Sequence, residues 1–90
     1  MFEWDGLKSA ENKKKHGISF VEALEIWQGN HITVSGIART HDGEERSATI
    51  GVVAGVLYTA IWTLRRRSIR IISVRRARPN EEAAYKKRVV

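Results

Sequence analysis

The sequence contains no cysteine and only one proline, Pro79. Without thiols, the chain has no disulfide bonds, iron–sulfur clusters, cysteine-ligated zinc sites or cysteine nucleophiles. No apolar run approaches the roughly 18 residues that span a membrane. The first residues, Met-Phe-Glu-Trp-Asp, carry acids where a signal peptide requires a basic and then an apolar segment. We therefore expect a small, soluble, cytoplasmic protein.

Recognisable cofactor sites are also missing from the sequence. The seven glycines match no phosphate-binding loop, and the three histidines lie far apart without metal-ligand spacing. We therefore expect neither a metal ion nor a cofactor. His31 is interpreted as a loop or strand-edge residue, and His41 as a water-facing residue before a turn.

Acidic residues are scarce in the last third of the chain. Residues 64–90 hold ten Lys and Arg against two Glu, a net charge of +8, whereas residues 1–63 carry −2. Eight of these ten are arginine, whose planar guanidinium matches pairs of phosphate oxygens. This bias favours an anion-binding surface for nucleic acid, an acidic protein or an anionic membrane. An ordinary solvated face explains the same composition.

The first third of the chain predicts a short strand and two helices. Residues 2–5 alternate between apolar and acidic side chains, which is typical of a strand. Residues 7–16 favour a helix that ends at Gly17. Ser19 begins a second helix, and Glu22 completes a capping box with it. The apolar residues of the second helix share one face and are predicted to lie in the core: Phe20, Ala23, Leu24 and Trp27.

The remainder of the chain predicts a sheet followed by a helix. Strand-like runs cover residues 31–37, 46–53, 56–64 and 69–74. Turns are predicted at Asp42-Gly43, at Ala54-Gly55 and over Arg65–Ser68. Such short connections give an antiparallel meander. Asn80 is predicted to cap a C-terminal helix. The fold class is therefore α+β, a single domain over residues 1–90, with an antiparallel sheet, N-terminal helices packed on it and a C-terminal helix.

Arginine and hydroxyl side chains are predicted to share one face of this sheet. Alternation along the last strand puts Ser73 and Arg75 on one face, and Arg70, Ile72 and Val74 on the other. The groups expected to converge are Arg46, Thr63, Arg65, Ser73 and Arg75. Such a cluster can stabilise the pentavalent phosphate of metal-free RNA cleavage. Surface arginines at exposed strand positions remain the alternative.

His16 is the histidine best placed for chemistry. The C-terminal end of a helix favours the charged form of a histidine, and the adjacent Lys13, Lys14 and Lys15 disfavour it. Because histidine changes charge near neutral pH, His16 is a candidate general acid or base. The alternative is that it only helps to cap the helix end.

The order and spacing of several short motifs resemble the BrnT-type toxins of bacterial type II toxin–antitoxin systems, which have a RelE-like ribonuclease fold. The motifs, spread over residues 2–85, are Phe2-x-Trp4-Asp5, Lys8-x-x-x-Asn12-x-x-Lys15-His16-Gly17, Ser19-Phe20-x-Glu22-Ala23, Gly43-Glu44-x-Arg46, Ile50-Gly51, Thr63-x-Arg65 and Arg70-Ile71-Ile72-Ser73-x-Arg75-x-Ala77, then Glu81 and Tyr85.

The resemblance implies a cytoplasmic, metal-independent endoribonuclease that inhibits translation. It also implies a BrnA-type antitoxin with a ribbon-helix-helix region, in a two-toxin, two-antitoxin complex on operator DNA. The motif positions carried over as catalytic residues are Lys15, His16, Arg46, Arg65, Ser73 and Arg75. The residues predicted to bind RNA are Arg66, Arg67, Arg70 and Arg76. The alternatives are a non-catalytic nucleic-acid-binding regulator and an inactive toxin homologue.

Overall fold

The computed structural model describes residues 1–39 and 43–89, and within them three α-helices and five strands are present. The elements in chain order are β1 Phe2–Glu3, α1 Gly6–His16, α2 Phe20–Ala23, a 3-10 turn Leu24–Trp27, β2 His31–Arg39, β3 Glu45–Val53, β4 Val56–Arg65, β5 Ser68–Arg76 and α3 Pro79–Val89. None of the described helices has the length and hydrophobicity to span a lipid bilayer. The predicted α+β class and order of elements are confirmed, but α3 begins at Pro79, so the prediction that Asn80 caps this helix was wrong.

Local capping groups set the ends of the two N-terminal helices. The Asp5 carboxylate accepts the first N–H groups of α1, and Gly17 ends this helix with a φ of 78°. The predicted capping box of Ser19 and Glu22 is confirmed at the start of α2. The second helix is shorter than predicted, because after Ala23 the backbone tightens into the 3-10 turn.

The sheet is mixed, with strand order β1-β5-β4-β3-β2. Strands β2 to β5 form the predicted antiparallel meander. β1 runs parallel to β5, with Phe2 opposite Ile69 and Glu3 opposite Arg70, so the prediction of a wholly antiparallel sheet was wrong. The two N-terminal helices and strands β2 to β4 lie between β1 and β5 in the sequence, and a connection of that length permits parallel pairing. His41 and Asp42 lie outside the described residues, and with them most of the predicted Asp42-Gly43 turn.

A β-bulge in β5 breaks the predicted alternation. Ser73 pairs with Ile61 and Ile71 pairs with Trp62, so Ile72 is the extra residue. An extra residue moves the side chains on one side of it to the opposite face from the one that strict alternation assigns. The expectation of unbroken alternation through this strand was therefore wrong.

The bulge changes which residues of β5 share a face. Ile71 and Val74 are both buried, at 2% and 0% exposure, although strict alternation separates them. Arg70 correspondingly joins Ser73 and Arg75 on the other face, whereas the sequence placed it opposite them. The bulge therefore adds an arginine to the face that carries the predicted cluster.

The two faces of the sheet pack against different helices. The core face carries Thr49, Gly51, Ala60, Ile71 and Val74, and α2 and the 3-10 turn cover it. Its hydrophobic cluster contains Ile18, Phe20, Ala23, Ile26, Val53, Ala60, Ile71 and Val74. The 3-10 turn packs so closely that a Cβ atom at Gly51 would lie 2.9 Å from Ile26. The opposite face, called the α3 face, carries Arg46, Ala48, Ile50, Thr59, Thr63, Arg65, Arg70, Ser73 and Arg75.

Candidate active site

A groove of about 240 Å³ lies between α1 and β5. Its lining residues are Lys8, Glu11, Asn12, Lys15, His16, Ile72 and Ser73. Three predicted catalytic residues, Lys15, His16 and Ser73, therefore meet in this α1–β5 groove, although β5 lies far from α1 in the sequence. The bulge at Ile72 contributes to the wall that faces α1.

Asn12 fixes α1 against the edge of β5. Its amide nitrogen donates to the carbonyls of Ile18 and Val74 at 2.8 and 2.9 Å. Its amide oxygen accepts the N–H of Val74 at 3.2 Å. β1 pairs with β5 only near the start of that strand, so the buried Asn12 side chain takes the place of a neighbouring strand further along. This clamp sets the position of the groove-facing residues of α1.

The groove-facing residues of α1 follow helical spacing. Lys8, Glu11, Asn12 and Lys15 are at i, i+3, i+4 and i+7, which puts them on one side of the helix. The sequence alone predicts no functional role for Lys8 and Glu11. Helical spacing from Lys15 was the pattern that could have identified both residues.

The groove is suited to an anion. Lys8, Lys15 and His16 line it together with a single carboxylate, Glu11. His16 is half-buried, and no hydrogen bond joins its ring to any other described residue. Within residues 1–39 and 43–89, no group of three or more His, Cys, Asp or Glu side chains is arranged to hold a metal ion. The lining therefore fits a phosphate group.

A row of charged and hydroxyl side chains crosses the α3 face beside the groove. Arg46 lies opposite Thr63, Thr63 opposite Arg70, and Arg70 opposite Glu3, on four neighbouring strands. The Nε atom of Arg46 is buried and has no hydrogen-bond partner in the described part of the chain. Ser73 belongs to this face by register and also lines the α1–β5 groove, so it joins the two regions.

Three arginines of the α3 face each bind a carboxylate. Arg65 contacts Glu44 at 3.2 Å, Arg70 contacts Glu3 at 2.8 Å, and Arg75 contacts Glu81 at 2.7 Å. These ion pairs orient the guanidinium groups and compensate part of their charge. The three carboxylates lie 21, 67 and 6 residues away in the sequence, and these pairings are not predicted from the sequence.

The Arg75–Glu81 pair is the most buried of the three. Arg75 donates two parallel hydrogen bonds to Glu81, and the Thr59 hydroxyl and the Arg78 N–H also donate to this carboxylate. Burial raises the pKa of Glu81, but the hydrogen bonds from Arg75 and Arg78 outweigh it and hold the pKa at about 2. The hydrogen bond to Glu81 raises the pKa of Arg75. Arg75 therefore anchors α3, and its predicted catalytic role stays a prediction.

The four residues predicted to bind RNA do not form one surface. Arg70 lies on the α3 face, and Arg76 lies opposite Tyr58 on the core face. Arg66 and Arg67 form the β4–β5 turn and are exposed. His31 begins β2 with its Nδ1 atom 2.8 Å from the Gly29 carbonyl oxygen, so its interpretation as a strand-edge residue is confirmed.

The residues of the α1–β5 groove and of the α3 face fall within a segment that matches a known protein family. Residues 4–81 match the model described as the ribonuclease toxin, BrnT, of type II toxin–antitoxin systems. No match was found among curated proteins. The family match covers α1, α2, all of β2 to β5 and the start of α3, including Glu81. Because it spans most of the sequence, the chain belongs to the BrnT family of ribonuclease toxins of type II toxin–antitoxin systems.

Proposed function

We propose that the chain is a metal-independent endoribonuclease whose reaction centre is the α1–β5 groove. The observation that carries the proposal is the meeting of Lys15, His16 and Ser73 in one positively charged groove, with Lys8 beside them. A phosphodiester brings a negative charge, and that charge increases as the phosphorus becomes pentavalent. Cationic side chains already in place stabilise that charge without a metal ion.

The proposed reaction is an internal transfer on RNA. The 2′-hydroxyl loses its proton to a base, its oxygen forms a bond to the adjacent phosphorus, and the bond from phosphorus to the 5′-oxygen breaks. The leaving 5′-oxygen takes a proton from an acid. The products are a 2′,3′-cyclic phosphate and a 5′-hydroxyl, and DNA is not cleaved because it lacks the attacking group.

His16 is the proposed proton-transfer residue, because it is half-buried in the groove and forms no hydrogen bond with other described residues. Lys8 and Lys15 are proposed to stabilise the phosphorane, and the Ser73 hydroxyl to donate to a phosphate oxygen. Arg46 and Arg65 are proposed to add positive charge from the α3 face, which Ser73 connects to the groove. Arg75 is proposed to act as a positioning residue through α3.

Cellular consequences follow from this chemistry. Cleavage of cellular RNA inhibits translation, and it takes place in the cytoplasm, where that RNA lies. As a type II toxin, the chain has an antitoxin partner. We propose a ribbon-helix-helix antitoxin that covers the basic residues, in a two-toxin, two-antitoxin complex that binds operator DNA. An acidic antitoxin fits best, because the chain carries a net charge of +6.

The experiment compares variants of the groove with one matched control. His16→Ala and Lys15→Ala are expected to slow cleavage of labelled RNA by about 10²–10⁴-fold in excess EDTA. Lys14→Ala removes an exposed lysine of the same helix that does not line the groove, and it should retain the wild-type rate. Equal rates for all three variants would contradict the assignment. If the wild type and all three variants bind RNA and none of them cleaves it, the non-catalytic regulator is favoured.

A further inference from the structure

The β4–β5 turn is formed by two residues that rarely adopt its backbone conformation. Arg66 and Arg67 have φ angles of 50° and 71°, and Arg65 pairs with Ser68 across the turn. A two-residue hairpin turn with both central φ angles positive is of type I′, in which Asn-Gly is strongly preferred. Residues with a Cβ atom are strained in this region. The chain therefore keeps two arginines at positions where asparagine and glycine would be more stable.

These two arginines differ from those of the α3 face in their contacts. Arg65, Arg70 and Arg75 each bind a carboxylate, whereas neither Arg66 nor Arg67 forms an ion pair with any residue of segments 1–39 and 43–89. Both are exposed. Two adjacent guanidinium groups without a carboxylate partner form a site for phosphate groups spaced along a chain.

The position of the turn relates it to the groove. β5 begins at Ser68, directly after the turn, and carries Ser73 five residues later. Five residues of strand extend about 17 Å. A nucleic acid strand of a few nucleotides therefore reaches from the α1–β5 groove along β5 to the turn.

We infer that the β4–β5 turn binds the phosphate backbone of RNA through Arg66 and Arg67, outside the groove where cleavage is proposed. The inference rests on RNA being the substrate, as proposed above. The backbone strain is retained because the residues that would relieve it cannot bind phosphate. Strained residues persist at binding sites where their side chains are needed. Binding of this kind is independent of base sequence and strongly dependent on salt.

The test replaces the arginines with the preferred residues of this turn. The double variant Arg66→Asn, Arg67→Gly is expected to raise the midpoint of thermal unfolding by roughly 2–8 °C. Its affinity for a short fluorescein-labelled 2′-O-methyl RNA, which cannot be cleaved, is measured from about 50 to 200 mM salt. The slope of log affinity against log salt should become shallower by about 1.4, since each lost phosphate contact on a single strand contributes about 0.7.

The β3–β4 turn supplies a matched control. Ala54 and Gly55 have φ angles of 50° and 78°, so this turn is also of type I′. One of its two central residues, Ala54, is strained. Ala54→Asn should raise the unfolding midpoint and leave the salt slope unchanged. The variant Arg66→Lys, Arg67→Lys should retain most of the slope and gain no stability.

An unchanged salt slope, or a lower unfolding midpoint in the Asn-Gly variant, would overturn the inference. So would a variant that binds RNA normally and loses only the antitoxin. Because the RNA probe cannot be cleaved, the assay is independent of the reaction centre. If the Asn-Gly variant has the shallower salt slope but the wild type does not cleave ordinary RNA, the proposed function is contradicted and the inference about the turn is not.

Discussion

The ion pair between Arg75 and Glu81 predicts a specific dependence of stability on pH. The substitution is Glu81→Gln, which retains the size of the side chain and removes its charge. The pKa of Glu81 is lowered from 4.5 to about 2. Each pKa unit corresponds to about 1.4 kcal/mol, so the ionised carboxylate stabilises the folded chain by about 3 kcal/mol near neutral pH. Because Arg75 would be left without its partner, we expect the variant to lose about 2–3 kcal/mol of unfolding free energy.

The sign of the pH dependence follows from the lowered pKa. A carboxyl group whose pKa is lower in the folded state stabilises the fold at pH values above its pKa in the unfolded state. This contribution is lost as the pH falls from about 4.5 toward 2. The difference between the wild type and the variant should therefore be largest near neutral pH and shrink steadily in acid. Urea unfolding followed by tryptophan fluorescence, repeated from about pH 7 to about pH 3, measures it.

Glu82→Gln is the matched control for this experiment. Glu82 is the next residue of α3, and no ion pair joins it to any other residue in the described segments. We expect Glu82→Gln to change the unfolding free energy by less than about 0.5 kcal/mol at every pH. A Glu81→Gln difference that stays constant with pH, or that equals the control, would refute the reasoning.

Three further substitutions test the clamp, the core and the α3 face. Asn12→Ala should lower the unfolding free energy by about 2–4 kcal/mol in urea, because it leaves three buried backbone groups without partners. Gly51→Ala should lower the unfolding free energy by about 1–3 kcal/mol in the same assay, because the added Cβ would lie 2.9 Å from Ile26 of the 3-10 turn. Gly29→Ala is the control and should be nearly neutral, because its added Cβ would have no atom within 4 Å. Arg46→Ala should slow RNA cleavage by about 10²–10³-fold at saturating RNA, whereas Arg88→Ala should mainly weaken RNA binding. Equal small effects of the two substitutions on the cleavage rate would contradict a role for the α3 face in the reaction.

Local features of the sequence were sufficient to predict most of the secondary structure. The capping box of Ser19 with Glu22 and the glycine that ends α1 at Gly17 depend on residues three to four positions apart, so they can be identified without knowledge of the fold. The strands of the meander are likewise bounded by short turns. The two caps and the turns at Ala54-Gly55 and Arg65–Ser68 lie where the sequence predicted them, because each depends only on residues close together in the chain.

Features that depend on distant partners were not predictable from these patterns. The direction of β1 is set by its pairing with β5, and the bulge at Ile72 depends on how β5 packs against the core. Hydrophobic alternation gave no indication of either, since Ile71 and Ile72 are equally apolar. The position of Arg70 was consequently predicted on the wrong face.

Only part of the candidate site was predictable from the sequence, because the rest depends on contacts between different elements of the fold. Lys15, His16 and Ser73 are predicted site residues, and the structure brings them into one groove. The contribution of Lys8 was missed, although its helical spacing from Lys15 was available. The pairing of Arg75 with Glu81 required the packing of α3 on the sheet, which no local pattern encodes.

Cleavage of RNA by the purified chain in excess EDTA tests the central claim most directly. A 5′-labelled RNA is expected to be cut to fragments ending in a 2′,3′-cyclic phosphate. The same oligonucleotide with a 2′-deoxy sugar at the cleaved position should stay intact there, and His16→Ala should slow the cut by about 10²–10⁴-fold. Cleavage that disappears with EDTA and returns with Mg²⁺, or that continues at the 2′-deoxy position, would contradict it.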